Sequence, residues 1–250
     1  MTTTELQNPV EEVRSPWTWW RIIWNISLAA VGYIGPQVIV VFIALVAAAT
    51  NDPEFSIETW VQKAGSNGFI ISISTIASAI VCIPLIRLLT GLAEKHPWEF
   101  LGIRRTEMKH VLFACASISI FILISDSLNV LRGRPLVPKF MIDAYVTARW
   151  PALLFVAVAI VAPVLEELFF RGLLLSALRA RGWSVFRVCI VTSLVFASMH
   201  LQYDLYDMTL VFMMGLLLAG ARTRSGSLLP GIAMHALANA VGFFEALWTR

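Results

Sequence analysis

An all-α bundle of membrane-spanning helices is the fold class this sequence predicts, and three observations carry it. Of the 250 residues, 58% are apolar and only 14% charged, and the mean hydropathy is +0.76, well outside the range of a soluble domain. The apolar runs approach the roughly 20 residues a spanning helix needs and far exceed the roughly 10 of a barrel strand. Lipid offers no water to open backbone groups, so runs of that length must satisfy their own N–H and C=O groups as helices.

Taken in order, the runs fall at 22–48, 68–92, 111–131, 150–178, 185–203, 206–221 and 230–248, which predicts seven transmembrane helices around an internal polar cavity. Residues 1–21 form a polar tail that carries Glu5, Glu11 and Glu12; with the long run behind it, this tail does not resemble a cleaved signal peptide. The rest, 22–250, reads as a single transmembrane domain whose motif-bearing core is about 150–248.

The segment 131–149 contains four basic residues in an otherwise apolar region, so it either lies along the interface or adds an eighth, re-entrant helix. The fifth and sixth runs barely cover a bilayer core of about 30 Å at roughly 1.5 Å per residue. Their connection, "HLQYDLYDM", is therefore expected to sink toward the membrane and line a cavity.

Charge sets the expected orientation. With the N-terminus inside, Lys63, Arg132, Arg134, Lys139, Arg149 and Arg250 fall outside, and the other 13 of the 19 basic residues fall inside. The N-terminus is accordingly placed in the cytoplasm and the chain in the plasma membrane as a multi-pass protein. A net charge of +3 without a basic block predicts no nucleic-acid partner. Cys82, Cys115 and Cys189 all lie in apolar runs with no paired spacing, and read as packing residues.

Within the fourth run, "PVLEELFFRG" places Glu166, Glu167 and Arg171 inside lipid-soluble sequence. Glu167 and Arg171 stand four apart with the acid first, the favourable helical order for a supporting ion pair. Glu166 has no cation three or four residues away and is left over, as a general acid or base would be. His200 closes the fifth run, and His235 and Asn239 share one face of the seventh. Counted from the nearest cytoplasmic-side arginine as a floor for each helix, Arg179, Arg187 or Arg224, Glu166, His200 and His235 lie about 16 to 20 Å deep at roughly 1.5 Å per residue, so one site can draw on three helices.

Three ordered motifs now stand out: "EELFFR" at 166–171, "FASMH" at 196–200 and "HALAN" at 235–239, with "RSGSLLPGIAMHALANA" leading into the last and "FLGIRR" at 100–105 upstream. Together they resemble the type II CAAX prenyl endopeptidase and bacteriocin-processing (CPBP) family of intramembrane proteases. The resemblance implies a helical bundle with a water-filled cavity open to the cytoplasm. It implies that Glu166 and His200 activate a water, that His235 and Asn239 stabilise the oxyanion, and that Glu167 with Arg171 is structural. A metal-free reaction is favoured. The alternative is a Zn2+ held by Glu166, His200 and His235. The expected partners are the lipid bilayer and a hydrophobic or lipidated peptide. A non-catalytic immunity or membrane-partner protein of the same fold and a proton-coupled transporter are the rival functions.

Overall fold

The computed structural model describes residues 15–248; the expectations for the tail up to Arg14 and for Arg250 lie outside the described residues. Ten helices follow one another among them: α1 (Trp19–Asn51), α2 (Ile57–Ala64), α3 (Gly68–Gly91), α4 (Pro97–Leu101), α5 (Met108–Leu131) and α6 (Lys139–Val146) lead into α7 (Pro151–Ala180), and α8 (Val185–Ser198), α9 (Leu205–Ser225) and α10 (Leu229–Trp248) complete the chain. No strand occurs among the described residues.

The seven expected runs are all helical, with bounds differing by five residues at most. Five of them, α1, α3, α5, α7 and α9, are long and apolar enough to cross a membrane, fewer than the seven or eight expected. The shortfall has a physical source. At about 1.5 Å per residue the 14 residues of α8 rise only about 21 Å. His235, Asn239 and Glu245 dilute the hydropathy of α10, whose length is 20 residues. Residues 131–149 make no added crossing, since their one helix, α6, has eight residues.

The helix starts follow from the sequence. Thr18, Asn67, Ser184 and Asp204 each accept a hydrogen bond from a first-turn backbone N–H, the ordinary device for satisfying donors that a helix leaves open. At the C-terminal ends of α4 and α9, Gly102 and Gly226 adopt φ of 86° and 66°, a region that disfavours other side chains.

The bundle has two dissimilar ends. At one, the indole of Trp17 stacks on Phe100 at 4.8 Å and donates to Glu94. There the upstream feature "FLGIRR" clasps the α9–α10 turn: Leu228 N donates to Gly102 O, Arg104 Nε to Gly226 O and Ser227 Oγ to Arg104 O. At the other end, Gly68 N donates to Thr147 Oγ1, and Arg134 pairs with Asp204 at 2.7 Å. Between them the core collects Ile86, Ile118, Leu165, Leu173, Phe196, Leu218 and Met234, drawn mainly from α3, α5, α7, α8, α9 and α10.

Candidate active site

The helix α7 is not uniform. It widens into π turns at Ala157–Val161 and Leu168–Leu174, leaving a short α stretch, Ala162–Glu167, that carries both glutamates. Such π turns cost hydrogen-bond geometry and concentrate at functional positions. Pro163 lies just beyond the first one and has no N–H to give. In π spacing that missing donor belongs to Val158 O, and Asn239 Nδ2 donates to this carbonyl from α10 at 2.8 Å.

Glu167 and Arg171 form the expected pair, with Arg171 Nη1 donating to Glu167 Oε1 at 2.9 Å and both side chains 0% exposed. A second guanidinium nitrogen donates to Gly215 O, and the cation lies 4.5 Å from the Phe196 ring centre. Gly231 explains how α10 comes so near: a Cβ there would stand 2.9 Å from Glu167 Oε2. Gly215 does the same for α9, where a Cβ would meet Ser193 Cβ at 3.0 Å.

His235 sits between the two acids, its Nε2 3.7 Å from Glu166 Oε2 and its Nδ1 3.4 Å from Glu167 Oε1. Phe196 presents its ring edge-on to this imidazole at 5.7 Å. Glu166 is not wholly unpartnered, since Tyr33 of α1 donates its hydroxyl to Oε1 at 3.2 Å. His200 Nδ1 lies 2.9 Å from the Phe196 carbonyl. A carbonyl only accepts, so Nδ1 carries a proton and Nε2 is the nitrogen left for the cleft.

Glu166, His200, His235 and Asn239 all line one cleft of about 400 Å3, and Gln202 and Tyr203 of the connection after α8 line it too. A second cleft of about 390 Å3, lined by Tyr33, Gln37 and Ser74, meets the first at Glu166 and His200. The structure therefore brings the four predicted residues together while redirecting two of them: Asn239 to Val158 O, and His235 to both glutamates. Sequence reasoning missed Tyr33, Val158 and Gly231. Of these only the Val158 carbonyl had a signal, the proline five residues on.

The first cleft is lined at one end by Pro138, Phe140, Gln202 and Asp207, at the pole opposite Trp17, Glu94 and Phe100. Arg171, counted on the inside rim, is buried in the core.

The zinc alternative meets a geometric obstacle. Among the described residues no group of three His, Cys, Asp or Glu side chains is drawn close enough to hold a metal ion. His235 turns Nε2 toward Glu166 and Nδ1 toward Glu167.

Residues 148–241 match the family model described as type II CAAX prenyl endopeptidase Rce1-like. The chain is also similar to an uncharacterized 24.3 kDa protein of Escherichia coli, 39% identical over 85 residues that make up 33% of this chain and 39% of that protein. The chain spans about two fifths of the length of this curated relative. No solved structure matches.

Proposed function

We propose, from the premise that residues 148–241 are an Rce1-like region, that this integral membrane protein is an intramembrane endopeptidase. The observation that carries the reading is the convergence of Glu166 from α7, His200 from the turn after α8, and His235 and Asn239 from α10 on one cleft between apolar walls. Carboxylates and histidines inside lipid-facing helices are costly to insert, and by default they serve a function.

The residues support a hydrolysis in which Glu166 accepts a proton from a water that His200 Nε2 helps to orient. The water oxygen adds to the scissile carbonyl carbon, and the charge that develops on the carbonyl oxygen takes hydrogen bonds from His235 and from the second N–H of Asn239. Collapse of the tetrahedral intermediate breaks the C–N bond, and Glu166 returns its proton to the leaving amine. Glu167 and Arg171 act at one remove, holding His235 and the π turn in place. No step is routed through a metal.

The substrate class is a hydrophobic or lipidated peptide met within the bilayer of the plasma membrane. Glu166→Gln and His200→Ala are each expected to abolish peptide cleavage by the detergent-purified protein while its melting temperature stays near that of the parent. Retained cleavage in either variant would remove the assignment. Activity is expected to withstand chelation, and its loss on chelation with recovery on added zinc would overturn the metal-free route. If the unaltered protein folds and cleaves nothing, the non-catalytic membrane-partner reading takes its place.

A further inference from the structure

At the pole of Trp17 and Phe100 a third cleft, of about 370 Å3, lies between the ends of α7 and α9 and shares no lining residue with the two that meet at Glu166. Arg179 and Arg222 line it, each in the last turn of a helix long and apolar enough to cross a membrane. Ser176 and the apolar Phe100, Leu175 and Val185 complete the wall. Exposed Trp20, Trp98 and Phe186 stand at the same pole, as aromatic side chains do at the level of lipid headgroups.

The guanidinium of Arg222 is fixed in place. Its Nε donates to Arg171 O at 3.3 Å, and its Nη2 donates to Ser176 Oγ at 3.3 Å and to Phe100 O at 3.5 Å. Gly102 makes the room, since a Cβ there would stand 2.6 Å from Arg222 Cζ. All three acceptors are neutral, and Nη1 makes no hydrogen bond to the described residues. The acids of this pole do not compensate the charge: Glu94 takes the Trp17 indole, Glu107 pairs with Lys109, and the exposed Glu99 forms no ion pair with either arginine. Among the described residues, a positioned and half-buried cation therefore has no counter-anion. Arg179, which donates to Trp183 O, adds a second positive charge to the same cleft. Ser176 Oγ is buried, and while it accepts from Arg222 its own O–H remains to be given.

We infer that this cleft binds the phosphate of an anionic phospholipid, whose acyl chains follow the apolar wall into the bilayer. Guanidinium donors match phosphate oxygens in geometry as well as charge, and basic pockets between the ends of spanning helices suit lipid headgroups. Inorganic phosphate offers the same oxygens but nothing to Phe100, Leu175 and Val185. Arg222 Nε keeps hold of the Arg171 carbonyl, in the π turn Leu168–Leu174, so an occupied cleft also braces the turn from which Arg171 reaches Glu167. The site stands independently of the proteolytic reading.

In the test, the full chain is melted in mixed micelles of an uncharged detergent with phosphatidylglycerol or with phosphatidylcholine of the same acyl chains. Phosphatidylglycerol is expected to raise the melting temperature by about 4 °C or more over phosphatidylcholine, the scale of a ligand present well above its Kd for a chain of this size. Arg222→Gln and Arg179→Gln are each expected to reduce that gain to about 1 °C or less. Arg105→Gln, which removes an exposed arginine of the same pole outside the cleft, is expected to leave the gain whole. If the Arg222 variant does not fold, Arg179→Gln decides. Equal melting in the two lipids, a gain undiminished in the deciding variant, or a gain lost as fully with Arg105→Gln overturns the site. Inorganic phosphate added to the phosphatidylcholine micelles is expected to give no shift, and the full gain from phosphate alone would remove the lipid as the ligand.

Discussion

Arg171 decides how the charged stretch of α7 is read. Nη1 donates to Glu167 and Nη2 to the Gly215 carbonyl, the cation faces the Phe196 ring, and Nε has no protein partner, all away from water. Removing the cation strands Glu167 in the core. Arg171→Leu is expected to destabilise the protein by about 3–5 kcal/mol, whereas the double change with Glu167→Leu recovers most of that loss, because no lone charge then remains buried. Thermal melting of the three variants checks this. The pair itself was legible in the sequence from spacing alone. What spacing could not give is the position of His235 against both glutamates, since that depends on how closely α10 approaches, and Gly231 sets this approach. Tyr33 was invisible for a related reason: one tyrosine in a long apolar run carries no periodic signal, and only tertiary packing brings its hydroxyl to Glu166.

At the scale of the element, α7 and the connection after α8 hold the site. The break that Pro163 makes in the ladder is repaired from another helix by Asn239. Asn239→Ala is expected to cost about 1–3 kcal/mol by leaving Val158 O without a donor. Adding Pro163→Ala, which restores an N–H at residue 163, is expected to recover part of that cost, and a double-mutant melting cycle reads the coupling. A second element device lies at the start of α9. There Arg134, by hydrogen bonding, together with the Asp207 N–H holds the Asp204 carboxyl below the ordinary carboxylate range. A lowered folded-state value means that the clasp stabilises the protein fully above the unfolded pKa of about 3.9 and fades as pH falls through the folded one. The melting difference between the parent and Asp204→Asn is therefore expected at pH 7 and should vanish in strong acid. The helices themselves were readable because apolar runs are long. The end of α8 was placed five residues late because the apolar Leu201 extends the run, while the backbone turns at 200–203 and α9 restarts on the Asp204 cap.

For the whole molecule, the polarity of the bundle matters more than the number of crossings. The basic residues Arg87, Arg104, Arg179, Arg187 and Arg224 belong to the pole of Trp17 and Phe100, and the main cleft is lined from the opposite pole. If the basic pole faces the cytoplasm, as loop charge favours, the proposed peptide substrate would reach Glu166 from the far side of the membrane. Single cysteines placed at Arg105 and Lys139 in intact cells are expected to differ, with only the latter labelled by an impermeant maleimide; the reverse pattern would put the cleft on the cytoplasmic face. The sequence held the charge bias and the motifs as separate facts, and only the bundle sets them at positions along one axis.

The length of α1 carries a last consequence. Its 33 residues span about 50 Å, against a hydrocarbon core of about 30 Å, so the helix fits only by leaning or by projecting beyond the lipid. Tyr33, near its midpoint, touches the carboxylate at the centre of the site. Thicker or thinner bilayers would change that lean and with it the reach of the hydroxyl, which makes acyl-chain length an expected input to the proposed chemistry.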